Sequence, residues 1–438
     1  MDASRFATIA LIVGTSSPKV VDDMTQIKFG ALIKGASEAL KQGNFDLAKG
    51  LAKRGNDLQP PSQFASEFSQ LLNIEIPKQT SLKAAAIALQ ETLTKAQAGD
   101  SEAQYKLADA YFSGQGTDTN NAEGIKWLQK AAGQGDARAQ NTLAWMSQIG
   151  KGVTQDYAKA LDWYLKSAAQ GNASAQDNVG WMYQNGLGVT QDFAQALDWH
   201  LKSAAQNNAT AQGHLGWMYQ NGLGVTQDFA QALDWYLKSA AQDNAAAQNN
   251  IGWMYRNAKG VTQSYAQALY YYFKSAAQGN ATAQHELGSM YQNGLGATQD
   301  YAQALDWYRK SAAQGNDTAE LDLGSMYQNG LGVTQDYAQA LDWYRKAAAQ
   351  GNADGQNNLG WMYQNGLGVT RDYAQALDWY RKAATQGNAS GQHNLGCMYE
   401  YGWGVTADRD QAIQWFSKAA KQGVANSKNH LKHFGIQD

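Results

Sequence analysis

Apolar residues over most of the chain recur at helical spacing in paired blocks, and a short break that contains glycine separates the two blocks of each pair. Over residues 173–204 they lie three or four positions apart on both sides of a break at residues 185–191, which is typical of two amphipathic helices. The pattern returns every 36 residues, and one glycine marks each copy: Gly116, Gly152, Gly188, Gly224, Gly260, Gly296, Gly332, Gly368 and Gly404. Because a fixed period of this length indicates a repeat architecture, the sequence predicts nine helix pairs over residues 99–422.

The ends of the predicted helices carry residue types with specific backbone preferences. Gly186 and its equivalents follow the last apolar turn of each first helix, where a left-handed cap favours glycine. Ala258 stands at this position in one copy, so we expect that turn to be strained or closed differently. Before each second helix lies a side chain that can accept hydrogen bonds from free helix amides, which predicts N-caps at Asn120, Asp156, Asp192, Asp228, Ser264, Asp300, Asp336, Asp372 and Asp408.

A further glycine, Gly180 with its equivalents, lies inside each first helix, where glycine costs about 1 kcal/mol relative to alanine. Two copies carry Ala108 and Ala144 there, which keeps the side chain small. We therefore expect another helix to pass close to the backbone at this position.

The regions that flank the repeats depart from this pattern. Residues 1–22 contain a short apolar run similar to a secretion signal but without a clear cleavage site, so the compartment stays open between cytoplasmic and periplasmic or secreted. Residues 23–98 are predicted to form an irregular helical region that ends in a degenerate half repeat. Residues 423–438 are predicted to form a capping helix, with Lys428 and Lys432 on a polar outer face because nothing stacks on a terminal unit.

Charge and cysteine content narrow the range of partners. The chain has 35 Lys and Arg residues against 38 Asp and Glu residues, so it lacks the basic surface on which nucleic-acid binding depends. The N-terminal apolar run is too short to span a bilayer, so no membrane insertion is predicted. Cys397 is the single cysteine, which excludes an internal disulfide.

The repeated unit A-x-x-x-L-G-x-x-Y-x-x-G-x-G-V-x-x-D-x-x-x-A-x-x-W resembles the Sel1-like repeat, a relative of the tetratricopeptide repeat. In the third copy the matching residues are Ala175, Val179 (for Leu), Gly180, Tyr183, Gly186, Gly188, Val189, Asp192, Ala196 and Trp199. The resemblance implies an all-α, right-handed superhelical solenoid of antiparallel helix pairs, with the first helices on its concave side. It also implies a non-enzymatic scaffold or adaptor for protein partners. Thr190 and its equivalents stand where the family usually has proline, which leaves the loop less rigid but the fold unchanged.

Candidate chemistry in the sequence is sparse. The G-x-G turns lack the preceding strand and the recurring lysine or acidic partner that a phosphate-binding loop needs. His393 and Cys397 share a helix face, and His430 and His433 lie near the C-terminus, but neither pair supplies enough ligands for a zinc site. We therefore predict no catalytic residue, no metal and no cofactor.

Two aromatic columns run through the repeats. The first is nearly uniform and predicts packing between stacked repeats: Trp127, Trp163, Trp199, Trp235, Tyr271, Trp307, Trp343, Trp379 and Trp415. The second varies among Trp, Ser, Asp and Cys, which a core position seldom tolerates, so we expect it to face solvent. Since recently duplicated copies share residues by inheritance, the differences between them are more informative than the agreements.

The variable column and the polar residues three positions before it predict a partner-binding stripe, because residues three apart share a helix face. Its members are Trp145, Trp181, Trp217, Trp253 and Trp361, with Asn178, His214, Asn250, Glu286, Asp322 and Asn358. Exposed tryptophans often carry the binding energy of protein interfaces, although unselected drift on an exposed face is the alternative.

Three functions follow from the sequence. The leading hypothesis is a non-enzymatic scaffold that binds an unidentified protein partner along the concave groove. The alternative is a periplasmic protein that binds a glycan or a cell-wall fragment. A third is β-lactam hydrolysis, known from a cysteine-rich branch of the family, but the paired cysteines of that branch are missing and no nucleophile, base and orienting group converge.

Overall fold

The structure is a computed structural model that describes residues 32–39, 51–53, 69, 79–115 and 117–436, with the side chains of residues 79–87 left out. These residues fall into two compact parts, residues 1–131 and 132–438, each of which is described by itself. Residues 32–39 and 51–53 are helical, whereas most of the predicted irregular helical region before residue 79 and the signal-like residues 1–22 lie outside the described residues.

Every regular element of the described residues is an α-helix, and two helices alternate in each 36-residue unit. Helices are numbered from α1 (Gln79–Gln97), and α20 (Ala425–His433) follows the ninth unit. The first helices are α2 (Ser101–Ser113), α4 (Ala137–Ile149), α6 (Ala173–Asn185), α8 (Ala209–Asn221), α10 (Ala245–Arg256), α12 (Ala281–Asn293), α14 (Asp317–Asn329), α16 (Ala353–Asn365) and α18 (Ala389–Tyr401). The second helices are α3 (Asn121–Gly133), α5 (Tyr157–Ala169), α7 (Phe193–Ala204), α9 (Phe229–Ala240), α11 (Tyr265–Ala277), α13 (Tyr301–Ala312), α15 (Tyr337–Ala349), α17 (Tyr373–Thr385) and α19 (Arg409–Lys421).

Consecutive helices pack on one another within each part. In the first part α1 packs on α2. In the second part each helix from α4 to α20 contacts the next, so the units stack in chain order as a solenoid of helix pairs. The predicted all-α repeat architecture is confirmed.

The predicted N-caps are confirmed. Oδ1 of Asp192, for example, accepts hydrogen bonds from the backbone amides of Ala194 and Gln195 at 2.9 and 3.0 Å. The first helices have their own caps, which the sequence analysis did not single out: the side chain of Asn172 accepts from the amide of Ala175 at 2.9 Å. The N-termini of both helices of a unit are therefore fixed by local hydrogen bonds.

The G-x-G turn joins the two helices of a unit and packs against the backbone of the preceding unit. Gly186 caps α6 in the left-handed region (φ 65°), and its amide donates to the carbonyl of Met182. Gly188 has φ 72°, and a Cβ placed on it would lie 2.5 Å from the carbonyl oxygen of Tyr157. Only glycine fits such a close backbone contact, so the turn is structural.

The fifth unit keeps the closing bond of this turn, from the amide of Lys259 to the carbonyl of Met254 at 3.0 Å, but holds a strained residue in it, as expected from Ala258. Helix α10 ends one residue early, at Arg256, and Asn257 becomes its C-cap. Ala258 adopts φ 53°, a left-handed conformation that costs a residue with a Cβ about 1–2 kcal/mol.

The glycine inside each first helix is covered by a ring from the second helix, which confirms the expected close approach. A Cβ on Gly216 would lie 2.5 Å from Cδ1 of Tyr236, and one on Gly288 would lie 2.6 Å from Cδ1 of Tyr308. The tyrosines in this column are the largest fully buried side chains, together with Phe416 in the ninth unit. They, rather than the neighbouring tryptophans, form the centre of the core.

The uniform tryptophan column packs between units, as predicted. Trp199 lies half-buried against the core cluster that contains Tyr164 of the preceding unit. Lys202 lies over its ring at 4.1 Å from the centroid, and the same pair recurs as Lys310 over Trp307 at 3.8 Å. The lysine ammonium group thus covers one face of these tryptophan rings in a cation–π contact.

A row of glutamine pairs, in which the accepting glutamine is buried, also links the stacked units and was not predicted from the sequence. Nε2 of Gln170 donates to Oε1 of Gln140 at 2.9 Å, and Nε2 of Gln206 donates to Oε1 of Gln176 at 2.8 Å. In helix α20 Lys428 stands at the position of the accepting glutamine, and both Lys428 and Lys432 are exposed.

Candidate functional site

The predicted stripe lies on the first helices of the second part. Trp145, Trp217 and Trp361 are exposed by 41%, 37% and 37%, which is unusual for so large a side chain. Trp181 and Trp253 are half-buried, because they also pack against core clusters of their own units. Ser289 and Ser325 hold the same position in units six and seven, where the row of tryptophans is interrupted.

The polar residues of the stripe form a ladder between neighbouring first helices, with partners 37 residues apart. Nδ2 of Asn178 donates to Oδ1 of Asn141 at 3.2 Å. The equivalent pairs are His214 with Asp177 at 2.9 Å, His285 with Asp322 at 2.8 Å and Asn394 with Asn357 at 2.8 Å. These side chains are therefore held in place by contacts within the protein.

The other polar members of the stripe also have local partners. Glu286 forms an ion pair with Arg256 of the preceding unit. Asn358 accepts a hydrogen bond from Asn357 at 3.3 Å, and Asn250 lies half-buried beside Tyr236. Most polar members of the stripe therefore bond a neighbouring side chain, which the spacing in the sequence alone did not indicate.

The units differ in a hydrogen bond that lies beside the stripe, between the hydroxyl of the buried tyrosine and a glutamine side chain. In most units the buried tyrosine donates to a glutamine of the first helix, as Tyr308 does to Oε1 of Gln292 at 2.9 Å. Among units two to nine, units three, five and nine depart from this pair, with His200 in place of the tyrosine, Arg256 in place of the glutamine, and Phe416 with Glu400 in place of both. Each departure coincides with a new charged or imidazole neighbour.

Unit three holds a buried carboxylate between two imidazoles. Nδ1 of His200 lies 2.8 Å from Oδ1 of Asp177, and Nδ1 of His214 lies 2.9 Å from the same oxygen. Burial raises the pKa of Asp177, but the hydrogen bonds from both histidines outweigh burial and hold that pKa at about 2. Burial also lowers the pKa of His200 below its usual value, only partly opposed by Asp177. Because the imidazole of His200 is shorter than the tyrosine of other units, Oε1 of Gln184 has no hydrogen-bond partner among the described residues.

A second cluster lies at the C-terminal end of the array. His393, Cys397 and His430 each place one potential metal-binding atom within 4.8 Å of the others, as do Asp177, His200 and His214 in unit three. The sequence analysis set His393 and Cys397 aside for lack of further ligands, because His430 belongs to the next helix pair. The 37-residue offset of the ladder brings His430 beside them, whereas exposed His433 stays outside the cluster.

Comparison with known protein families agrees with this architecture. The Sel1 repeat model matches nine consecutive segments: residues 101–136, 137–172, 173–208, 209–244, 245–280, 281–316, 318–352, 353–388 and 389–424. The chain belongs to the Sel1-repeat family. The resemblance noted from the sequence is thereby confirmed, and Sel1-repeat proteins are generally protein-interaction scaffolds without catalytic activity.

Two solved structures are similar to this Sel1-repeat protein. One is c5321, a protective antigen present in uropathogenic Escherichia coli strains that displays an SLR fold, with 35% identity and a TM-score of 0.56 over 80% of this chain and 83% of that one. Another is a Sel1 repeat protein from Oxalobacter formigenes, with 34% identity and a TM-score of 0.55 over 71% and 90% of the two chains. A search of curated proteins finds no match. Among the described residues of this Sel1-repeat protein, no helix has the length and apolar character needed to cross a membrane.

Proposed function

We propose that this Sel1-repeat protein is a scaffold that binds a protein partner along the first-helix face of units two to eight. The observation that carries the proposal is the row of exposed tryptophans on that face, Trp145, Trp217 and Trp361. A tryptophan that is already partly fixed by its helix loses little conformational freedom on binding and buries a large apolar area. The three rings are therefore the anchors, and Trp181 and Trp253 extend the contact surface between them.

The polar ladder beside the tryptophans supports this function through rigidity. Its members, such as Asn178 with Asn141 and His285 with Asp322, are already hydrogen-bonded to each other. A surface that is ordered before binding pays less entropy when the partner docks. The same bonds occupy the side-chain amides that a glycan would use as hydrogen-bond partners, so no contact favours the glycan alternative.

A nucleophilic role for the single cysteine gains no support from its surroundings. Burial, followed by the charge of Glu400, raises the pKa of the Cys397 thiol to about 12. A thiol with so high a pKa is a poor nucleophile near neutral pH. The proposal is therefore confined to binding.

The chain itself supplies the test variants, because serine replaces tryptophan at positions 289 and 325. We expect Trp145→Ser, Trp217→Ser and Trp361→Ser together to leave the melting temperature within a few degrees, since these rings are exposed. The matched control is Tyr270→Ser with Phe273→Ser, which removes two exposed rings from the second helix α11.

The measurement starts with a photo-crosslinking amino acid at position 217 or, as control, at position 273 of the full chain in its native host. The protein captured at 217 is identified by mass spectrometry and purified, and its affinity for each variant is measured. We expect the tryptophan variant to bind about 30-fold more weakly and the control to bind as wild type. Equal losses in both variants, or capture at position 273 alone, would refute the proposal.

A further inference from the structure

Three metal-binding side chains converge where the last repeat meets the capping helix. His393 and Cys397 lie one turn apart on α18, and His430 lies on α20. Nε2 of His393 lies 3.7 Å from Sγ of Cys397, and the imidazole centroids of His393 and His430 are 5.5 Å apart. All three side chains are half-buried, so the cluster is ordered yet open to solutes.

The spacing of the donor atoms matches tetrahedral coordination. Zinc binds imidazole nitrogen at about 2.05 Å and thiolate sulfur at about 2.3 Å, which places the two donors about 3.6 Å apart at a tetrahedral angle. The observed separation of 3.7 Å between His393 and Cys397 needs almost no adjustment. One cysteine with two histidines is also a donor set that zinc prefers.

A polar side chain lies beside the other ring nitrogen of each histidine, as is usual for histidines that bind metals. Nδ1 of His393 lies 2.9 Å from Oγ of Ser427. Nδ1 of His430 lies 2.7 Å from Oε2 of Glu400. These contacts at Nδ1 leave Nε2 of each ring to coordinate an ion, and a carboxylate behind His430 would strengthen it as a ligand.

Two departures from the repeat create this arrangement. Glu400 replaces the glutamine of other units, and Phe416 replaces the tyrosine whose hydroxyl would bond that side chain. The ring of His430 stacks on Phe416 with centroids 4.5 Å apart and an interplanar angle of 14°. Both substitutions therefore serve to place His430.

The cluster in unit three is a weaker candidate for a metal site. Nδ1 of His200 and Nδ1 of His214 both bond one oxygen of Asp177, so these groups satisfy each other without an ion. The C-terminal cluster differs in this respect. Among the hydrogen bonds of the described residues, only one joins two of its three donors, the long contact of 3.7 Å between Nε2 of His393 and Sγ of Cys397.

We propose that His393, Cys397 and His430 bind one zinc ion, with water in the fourth coordination position. The ion replaces the thiol proton of Cys397 and is held jointly by α18 and α20. It therefore fastens the capping helix to the ninth repeat.

The test uses the full chain stripped of metal with a chelator and titrated with Co²⁺, then with Zn²⁺ in competition. Thiolate coordination gives a charge-transfer band in the near-ultraviolet, which we expect to saturate at one equivalent of Co²⁺ and to disappear as Zn²⁺ displaces it. Cys397→Ser should abolish the band and weaken Zn²⁺ binding at least about 100-fold, and Glu400→Gln should weaken it about 10–100-fold. Serine occupies the position of Cys397 in units six and seven, so this variant suits the repeat, and circular dichroism checks its fold.

His433→Gln is the matched control, because His433 lies three residues after His430 but outside the cluster. Its Zn²⁺ affinity should stay within about twofold of wild type. The proposal is overturned if wild type shows no thiolate band, or if Cys397→Ser and His430→Gln retain one equivalent of Zn²⁺ with unchanged affinity.

Discussion

Nδ1 of His214 lies 2.9 Å from Oδ1 of Asp177, although 37 residues separate the two in the chain. The same oxygen bonds Nδ1 of His200 at 2.8 Å. In the other described units the position of His200 carries tyrosine, phenylalanine or leucine. Three residues that differ from their counterparts in other units thus meet at one point, where the hydrogen bonds lower the pKa of Asp177 and burial lowers the pKa of His200.

Acid should destabilise unit three through two of these groups. The pKa of Asp177 is about 2 in the folded chain against about 3.9 when unfolded, so its contribution is complete above about pH 4 and lost as the pH falls toward 2. The pKa of His200 is lowered by burial, so the unfolded chain binds the extra proton below about pH 6.5 and stability falls there.

In unit eight Asn357 stands at the position of Asp177 and Tyr380 at the position of His200, so this unit shows which uncharged residues can replace the group. We expect Asp177→Asn, His200→Tyr and His214→Asn together to reduce the loss of melting temperature between pH 7 and pH 5. The restored hydroxyl can also bond Oε1 of Gln184. Thermal melts of both proteins at the two pH values test this, with His433→Gln as the control that should melt like wild type. An equal pH dependence in the triple variant would contradict the prediction.

Two glycines of helix α8 should respond in opposite directions to alanine. A Cβ on Gly216 would lie 2.5 Å from Cδ1 of the buried ring of Tyr236, so Gly216→Ala should destabilise the unit by about 1–3 kcal/mol. Gly213 has only Oγ of Ser239 nearby, at 3.5 Å. Gly213→Ala should therefore stabilise the helix by about 0.5–1 kcal/mol.

Hydrogen exchange of the α8 and α9 amides measures these local effects, because each unit of a repeat protein opens partly on its own. Faster exchange in Gly216→Ala with slower exchange in Gly213→Ala is the expected result. If both variants were slowed alike, the ring of Tyr236 would not be confined by the glycine.

The strained turn of unit five should be relieved by restoring the residue of the other units. Ala258 has φ 53°, which glycine adopts without steric cost. We expect Ala258→Gly to stabilise the unit by up to about 1 kcal/mol, since the greater freedom of glycine in the unfolded chain offsets part of the gain. The control is the reverse change, Gly222→Ala at φ 68° in unit four, which should destabilise. Urea melts followed by circular dichroism would contradict this if Ala258→Gly lowered the midpoint.

The repeat architecture was predictable from the sequence because its signals are local. A glycine such as Gly186 and a cap such as Asp192 determine helix ends through their own backbone and side-chain bonds. The fixed period then implies that the pairs stack. The core was less predictable, since Trp235 and Tyr236 are consecutive aromatic residues and apolar spacing alone does not decide which one enters the centre.

The contacts of the candidate site could not be predicted from a single unit. Pairing between Asn141 and Asn178, or between His393 and His430, depends on how far neighbouring units are offset as they stack. A period of 36 residues suggests partners 36 apart, whereas the hydrogen-bonded partners of the ladder are 37 apart. Only the packed structure supplies that one-residue shift.

The hydrogen bond from the buried tyrosine hydroxyl, which joins the two helices of a unit, should contribute measurably to stability. Tyr308 is almost fully buried, and its hydroxyl donates to Oε1 of Gln292 at 2.9 Å. Tyr308→Phe leaves that acceptor without its donor, so we expect a loss of about 1 kcal/mol, measured as faster hydrogen exchange in α12 and α13. Tyr301→Phe is the control, because its hydroxyl bond with Gln299 at 2.9 Å is exposed and water can replace it. Equal exchange rates in the two variants would mean that the buried hydroxyl bond adds nothing beyond the packing of the ring.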